Sequence, residues 1–203
     1  MRLLLIRHAE TKANVAGTIS SWSPGENLTT TGRVQAKDLA TRLTRTPLDG
    51  IYTSHLIRTQ QTGAPLALDQ GLPLTVLDGT HEIEGGDLEG ASGALAMRAY
   101  VAPLLMWGEG DFSASIPGGH DGTHFFTRFD AAIATIVDRH TDSDTVALIS
   151  HDGCMRVWVA GRANNVGPDY TSTHALKNTD IVTMSGDFDH GWHVESWGSE
   201  TLP

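Results

Sequence analysis

The chain has 203 residues, with 14 Lys and Arg against 24 Asp and Glu, and a formal net charge of −10. This length predicts one domain with a substantial core, and the negative charge argues against nucleic acid or an anionic membrane as a partner. The single cysteine, Cys154, excludes an internal disulfide and fits a reducing cytoplasm, where we expect the protein to act.

The first predicted element is a strand buried on both faces, because an apolar run extends from Leu3 to Ile6. The run is too short to cross a membrane, and no small-residue cleavage site follows it. Arg7 and His8 come directly after the run, where ligands bind in open α/β sheets. Neighbouring strand residues point to opposite faces, so both side chains reach one anion only if the chain turns there. Asn14 and Gly17 predict that the chain continues as a loop.

Two helices and two further strands are predicted next. A helix begins near Thr30 and runs to Leu43, because apolar residues recur there at helical spacing. A short strand, residues 51–53, leads into a helix that starts near Ser54 and carries Arg58. A helix N-terminus favours anions through its free amides and its dipole, so Arg58 is a second candidate for anion binding. Residues 74–77 predict another strand.

The middle of the chain is rich in loops. Acidic residues and glycines fill residues 81–90, which predicts a loop and not a helix. Residues 92–107 are predicted to be helical up to a break at Pro103. A second tight loop contains Pro117-Gly118-Gly119. We expect residues 83–122 to act as a lid or substrate-specificity insertion.

A long amphipathic helix and a buried strand follow this segment. The helix is predicted around residues 126–137, with phenylalanines and isoleucines on its apolar side. Residues 145–150 are the clearest buried strand of the chain. This strand delivers His151 at its carboxyl end.

The last part of the chain completes the predicted fold. Arg156 and Arg162 are expected on the solvated face of a helix, and residues 181–184 and 192–197 are expected to pair as a hairpin. Alternating strands and helices predict the α/β class. We expect one domain over residues 1–203, built as three α/β/α layers with a mainly parallel central sheet and one antiparallel edge strand.

Three strand ends carry the candidate catalytic residues, and in a parallel sheet these ends lie on one edge. Arg7, His8, Arg58 and His151 would form a site for a compact dianion there, because Arg binds phosphate oxygens bidentately. Surrounding positive charge disfavours a protonated imidazole, so one His can stay neutral and act as a nucleophile in phosphoryl transfer. The guanidinium groups would neutralise the transferring group. Glu82 is the candidate acid, because neighbouring carboxylates would raise its pKa.

Four motifs together resemble the histidine phosphatase superfamily, in its phosphoglycerate mutase-like branch. They occur in the family's order and spacing at residues 5–11 with Asn14, 52–62, 82–90 and 149–153, and Pro117-Gly118-Gly119 matches a further family turn. The resemblance implies the phosphoglycerate mutase-like fold, a phosphorylated His8 and Glu82 as the proton donor. It implies no metal and no cofactor. The contacts to the phosphoryl group that it implies are Arg7, Arg58, His151 and Asn14.

The chain departs from the family pattern at the rim of the expected pocket. Asp152 stands where the family often has Gly, and its carboxylate would repel a phosphate unless it turns away. His120 follows the Pro-Gly-Gly turn, where the family usually has Glu. We expect substrate contacts at both positions, and also at Thr11 and Trp22.

The expected activity is hydrolysis of a small phosphorylated metabolite. Residues 83–122 contain one Lys or Arg, Arg98, which is a poor basis for binding a doubly anionic sugar-acid phosphate. A phosphomonoesterase is therefore favoured over a mutase. Two alternatives stay open at this point: phosphoglycerate mutase-type phosphoryl transfer, and a non-catalytic phosphate-binding protein on the same fold. An edge strand near the C-terminus could also pair across a two-fold axis to form a homodimer.

Overall fold

The computed structural model describes residues 1–202 of the chain. Its strands are β1 (Arg2–Arg7), β2 (Gly50–Thr53), β3 (Leu74–Val76), β4 (Thr145–Ser150), β5 (Ile181–Asp187), β6 (Gly191–Trp197) and β7 (Glu200–Thr201). Its α-helices are α1 (Lys12–Ala16), α2 (Thr30–Leu43), α3 (Ile57–Gln70), α4 (Ala94–Gly108), α5 (Gly122–Val137), α6 (Asp152–Arg162) and α7 (Pro168–Thr173). A 3₁₀ turn, Gly86–Leu88, lies in the acidic loop.

The seven strands within residues 1–202 form one sheet in the order β3-β2-β4-β1-β5-β6-β7. Strands β3, β2, β4 and β1 run parallel, whereas β5, β6 and β7 extend the sheet in antiparallel fashion. The predicted mainly parallel core and the predicted C-terminal hairpin are confirmed. The antiparallel part exceeds the single edge strand that we expected, because the whole hairpin and β7 lie on the same side of β1.

Alternate side chains of β1 serve the two faces of the sheet. Leu3 and Leu5 pack in a core that they share with α4, α5 and α6. Leu4 and Ile6 pack in a second core, which they share with α2 and α3. All four side chains are buried, and helices cover both faces of the sheet. The predicted three-layer α/β/α architecture is therefore confirmed.

The register between β1 and β4 fixes the place of the candidate site. Arg7 pairs with Ser150, and the backbone N–H of His8 donates to the Ser150 carbonyl at 3.0 Å. The residue that follows each of these strands is a histidine, so His8 and His151 lie side by side just beyond the edge of the sheet. Strand β2 pairs with the other side of β4, so Ser54 leaves the sheet at the same edge.

A short helix, α1, stands where the sequence predicted a loop. The Thr11 hydroxyl accepts a hydrogen bond from the backbone N–H of Asn14, and the Asn14 side chain accepts one from the backbone N–H of Thr11. This reciprocal capping box satisfies two helix-terminal donors at once. Gly17 ends the helix in the left-handed conformation, at φ 62°.

Helix α4 continues through Pro103, so the predicted break at this residue is wrong. A proline inside a helix costs about 3 kcal/mol. Pro103 is itself buried, and Leu104 and Trp107 also pack into the core. Burying each large apolar side chain contributes about 2 kcal/mol, so tertiary packing outweighs the local preference.

The arginines of α6 were expected on a solvated helix face, but both make contacts within the protein. The Arg162 guanidinium pairs with the Asp130 carboxylate and lies 4.4 Å from the centroid of the Phe126 ring. Arg156 Nε donates to the Thr171 carbonyl of α7 at 2.6 Å. Both side chains therefore tie α6 to neighbouring helices.

No helix within residues 1–202 combines the length and apolarity needed to cross a bilayer. The C-terminal edge of the sheet is β7, which has two residues. A homodimer formed by pairing at this edge stays a prediction.

Gly32, in the first turn of α2, tests how closely this helix packs on the turn after β1. A Cβ at this position would lie 2.2 Å from the backbone carbonyl oxygen of Glu10. Gly32→Ala should lower the free energy of unfolding by about 1–3 kcal/mol, because overpacking forces the backbone to shift. The control is Gly167→Ala, since a Cβ there meets nothing within 4 Å. Denaturant unfolding compares the two variants, and equal stability would contradict the packing.

Candidate active site

Two imidazole rings lie side by side at the carboxyl ends of β1 and β4. The centroids of the His8 and His151 rings are 5.2 Å apart, and their planes are inclined by 60°. Both side chains are buried. This proximity follows from the strand register, because each histidine is the first residue after a strand and the two strands are parallel neighbours.

The hydrogen bond of His8 determines which ring nitrogen can react. Nδ1 lies 2.7 Å from the carbonyl oxygen of Ala9. A carbonyl oxygen only accepts, so Nδ1 carries the proton and Nε2 keeps its lone pair. Burial, and then the charge of Arg58, lower the pKa of His8 well below its usual value. The ring is therefore neutral near pH 7, with Nε2 as its basic nitrogen.

His151 is held from both sides of its ring. Arg58 Nε donates to Nδ1 of His151 at 3.2 Å, so Nδ1 is unprotonated. Nε2 therefore carries the proton and donates to the Ser54 hydroxyl at 2.9 Å. Burial, followed by the Arg58 charge, lowers the pKa of His151 well below its usual value. Arg58 is further fixed by the Ser20 carbonyl, which accepts from Nη2 at 3.0 Å.

In the part of the chain that the structure describes, three guanidinium nitrogens are buried without a hydrogen-bond partner, and two of them, Nε of Arg7 and Nη1 of Arg58, belong to candidate site residues. Leaving a buried charged donor unpaired is costly, and buried polar groups normally find a partner. Nη1 of Arg7 donates to the Leu176 carbonyl, which fixes this side chain. The Arg7 and Arg58 side chains suit an oxyanion with several oxygens, the ligand that guanidinium groups bind best.

Glu82 lies at the N-terminus of α6. One carboxylate oxygen accepts from the backbone N–H groups of Cys154 at 3.1 Å and Ile83 at 2.9 Å. Burial raises the pKa of Glu82, while the hydrogen bond from Ile83 and the charge of Arg58 oppose that rise. The direction agrees with the sequence expectation. The main cause is burial, however, and the like charge of Asp152 adds less.

Asn178 lies in the turn before β5, and the sequence interpretation of this residue as part of a structural turn did not connect it to the site. Its Nδ2 donates to the His8 carbonyl at 2.8 Å and to Oδ1 of Asn14 at 3.2 Å. Asn14 Oδ1 also accepts from the Thr11 N–H, so the donor that Asn14 can offer a ligand is Nδ2. Thr179, the next residue, has φ 63°, a strained value for a β-branched residue. The sequence signal was the resemblance of Asn178 to a family position before a late strand.

The carboxylate of Asp152 is neutralised within the protein. Oδ1 accepts from the Leu176 N–H at 3.1 Å, and Oδ2 lies 3.4 Å from Nη1 of Arg156. Arg156 also donates to the carbonyls of Thr171 at 2.6 Å and Ser172 at 2.7 Å. The i,i+4 spacing of Asp152 and Arg156 on one helix was the signal that could have predicted this pair.

Most of the predicted site residues line a cavity of about 350 Å³. Its polar wall comes from the strand ends and the acidic loop, and the predicted residues that line it are Arg7, His8, Thr11, Asn14, Arg58, Glu82 and Asp152. His151 lies behind this wall, in contact with His8 and Arg58. The apolar part of the lining comes from side chains of α4 and α6.

Trp22 and His120, both expected at the rim, do not line the cavity. Trp22 is 65% exposed, and the preceding backbone is fixed because the Ser21 N–H donates to Glu89. His120 is exposed, and its ring stacks on that of His124 with centroids 3.7 Å apart. The direction of a loop side chain depends on such tertiary contacts, which the sequence does not show.

Comparison with known proteins places this geometry in context. A family model described as the histidine phosphatase superfamily (branch 1) matches residues 3–200. A PE-PGRS family protein of Mycobacterium tuberculosis is 34% identical over 98% of this chain, and the chain spans 37% of that protein's length. The adenosylcobalamin/alpha-ribazole phosphatase of Salmonella typhimurium is 31% identical over 79% of this chain and 78% of its own length.

A solved structure supports the same fold. The mycobacterial glucosyl-3-phosphoglycerate phosphatase, in complex with VO3, superposes with a TM-score of 0.82. The match covers 98% of this chain and 99% of that one, at 24% sequence identity.

The Arg7 and Arg58 guanidinium groups that line the cavity predict that it binds a tetrahedral oxyanion. Inorganic phosphate or vanadate should stabilise the protein by about 2.7 kcal/mol at a hundredfold excess over its Kd. Arg7→Gln should weaken binding by about tenfold or more, because it removes a buried charged donor. Arg98→Gln, on α4 but outside the cavity lining, is the matched control. Calorimetric titration gives each Kd, and equal affinity of Arg7→Gln and wild type would contradict the site.

Proposed function

The chain belongs to the histidine phosphatase superfamily and is a phosphoric monoester hydrolase, and we propose that its substrate is a small phosphorylated metabolite. We further propose that hydrolysis passes through a phosphohistidine on His8, with Glu82 as the proton donor. The observation that carries this proposal is the state of the His8 ring. Nδ1 is protonated and fixed by the Ala9 carbonyl, while Nε2 keeps its lone pair beside a cavity that Arg7 and Arg58 line.

In the first proposed step, the lone pair of His8 Nε2 attacks phosphorus and the bond between phosphorus and the ester oxygen breaks. Arg7 and Arg58 stabilise the charge on the non-bridging oxygens. Glu82, whose pKa is raised by burial, gives its proton to the leaving alkoxide. The covalent intermediate divides one difficult displacement into two easier ones.

In the second proposed step, water attacks the phosphorus of the phosphohistidine and the nitrogen–phosphorus bond breaks. The Glu82 carboxylate left by the first step accepts a proton from that water. His8 regains its neutral ring, and inorganic phosphate leaves. One water is consumed, one alcohol and one phosphate are released, and every side chain returns to its starting protonation state.

His151 is proposed to assist the same transfer. Its Nδ1 accepts from Arg58 Nε and its Nε2 donates to Ser54, so the ring holds the Arg58 guanidinium in place. A direct contact between His151 and a phosphoryl oxygen requires Arg58 Nε to turn towards the substrate and release Nδ1. The proposal therefore includes that movement of Arg58.

Hydrolysis is proposed over phosphoglycerate mutase-type transfer. A mutase must hold a carboxylate and retain a second phosphate, which calls for additional cations near the pocket. Arg98 is the single Lys or Arg of residues 83–122, and it does not line the cavity. Hydrolysis needs no such cations.

His8→Ala should reduce phosphate release from a generic monoester by roughly 10³-fold or more, because it removes the nucleophile. His124→Ala, which removes an exposed histidine outside the cavity, is the control and should keep wild-type turnover. Acid-labile, alkali-stable phosphate on the peptide that contains His8, found by mass spectrometry, would identify the intermediate. Normal turnover by His8→Ala, or faster isomerisation of 3-phosphoglycerate than phosphate release, would overturn the proposal.

The dependence of activity on pH should show the titration of Glu82, the proposed proton donor. Activity should fall at low pH only when His8 becomes protonated, well below the usual histidine range, because its pKa is lowered. Activity should fall at high pH as Glu82 loses its proton, above the usual carboxyl range, because its pKa is raised. Glu82→Gln should remove the alkaline limb and reduce kcat on alkyl esters by about 10²–10⁴-fold.

The leaving group provides the control for Glu82→Gln. 4-Nitrophenyl phosphate releases an anion that needs no proton, so its kcat/KM, which reports the first step alone, should fall much less than that of an alkyl ester. An equal loss of kcat/KM on both esters would show that Glu82 is not the proton donor.

A further inference from the structure

The wall of the cavity that faces away from the strand ends is apolar apart from Arg156 and the α7 side chains Thr171 and Ser172. Side chains of α4 and α6, together with the first residue of α7, form it: Met97, Val101, Leu104, Leu105, Val157, Ala160 and Pro168. We propose that the alcohol part of the substrate is an uncharged, apolar group that packs on this wall. This inference rests on the proposed phosphomonoesterase function and names its substrate class.

None of the cationic side chains that line the cavity is available to a second anionic group on the substrate. Within residues 1–202, the Lys and Arg residues that line the cavity are Arg7, Arg58 and Arg156. The first two lie at the phosphoryl end, beside His8. Arg156 is engaged by the Asp152 carboxylate and by two α7 carbonyls. A carboxylate or second phosphate on the alcohol would therefore meet Asp152 and Glu82 without an unengaged cation.

The apolar wall also disfavours a polyhydroxylated alcohol. Tyr100 is the one α4 residue of the lining with a side-chain hydrogen-bonding group, and its hydroxyl already donates to the Ile83 carbonyl at 2.8 Å. Sugar hydroxyls placed against Val101 or Leu104 would lose hydrogen bonds to water without replacement, at a cost of about 1–3 kcal/mol each.

Exposed apolar surface on α4 is consistent with a ligand that covers it. Met97 is 38% exposed and Leu105 is 42% exposed, and both line the cavity. An apolar group that packs between these side chains would remove that surface from water, which is favourable in proportion to the area buried. A cavity of about 350 Å³ limits this group to a short chain or a single ring system beside the phosphoryl group.

Two matched series of ligands test the proposal. Ethyl, butyl and hexyl phosphate share nearly the same leaving-group basicity, so their kcat/KM values should rise about three- to fourfold per methylene until the cavity is filled. Phosphoserine and 3-phosphoglycerate should be hydrolysed at least tenfold less efficiently than butyl phosphate. Because uniform binding lowers KM, the gain along the alkyl series should appear mainly in KM.

Alkylphosphonates of the same lengths separate binding from catalysis, because they are not hydrolysed. Their Kd values, measured by calorimetry, should fall by the same three- to fourfold per methylene. A flat phosphonate series, or tighter binding of 3-phosphoglycerate than of butylphosphonate, would overturn the apolar-alcohol inference. A steep phosphonate series without hydrolysis of any ester would support this inference and contradict the proposed function.

A pair of α4 variants locates the effect. Val101→Asp places a charge on the apolar wall and should abolish the dependence on chain length, with the greatest loss for the hexyl compounds. Leu95→Asp is the matched control, because Leu95 lies on the same helix, is 78% exposed and does not line the cavity. An unchanged chain-length dependence in a folded Val101→Asp protein would contradict the assignment of this wall, and thermal unfolding verifies the fold.

Discussion

The parallel pairing of β1 with β4 is the constraint on which the rest of the site depends. Arg7 lies opposite Ser150, so the histidines that follow them leave the sheet together and their rings come within 5.2 Å. A slip of one residue would turn every β1 side chain to the other face of the sheet. The two buried cores, which take Leu3 and Leu5 on one face and Leu4 and Ile6 on the other, prevent that slip.

Burial then sets the protonation states that the proposed chemistry requires. Burial and Arg58 together lower the pKa values of His8 and His151, so both rings are neutral beside buried cations. The same burial raises the pKa of Glu82, so one carboxyl group can carry a proton within an acidic protein. One physical cause, removal from water, therefore favours the neutral forms of His8 and Glu82, the proposed nucleophile and the proposed acid.

The cavity joins two kinds of wall that come from different parts of the fold. The strand ends supply the polar groups that suit a phosphoryl group, and their positions are fixed by the register of the sheet. Helices α4, α6 and α7 supply the opposite wall, which is apolar apart from the engaged Arg156 and the α7 side chains Thr171 and Ser172. Proteins of one fold can change substrate by altering such a wall while the reacting groups stay in place.

The sequence by itself determined the strands β1 to β6 but not β7, the α/β class and the candidates Arg7, His8, Arg58, Glu82 and His151, because apolar runs and the polar residues near them are local patterns. The tertiary structure alone decided that α4 passes through Pro103, that Arg156 neutralises Asp152, that Asn178 holds the His8 carbonyl, and that Trp22 and His120 stay outside the cavity. Each of these outcomes depends on a partner or a core that lies far away in the chain. Local periodicity shows which face of an element is buried, whereas the partner of a polar side chain is known only once distant segments have packed together.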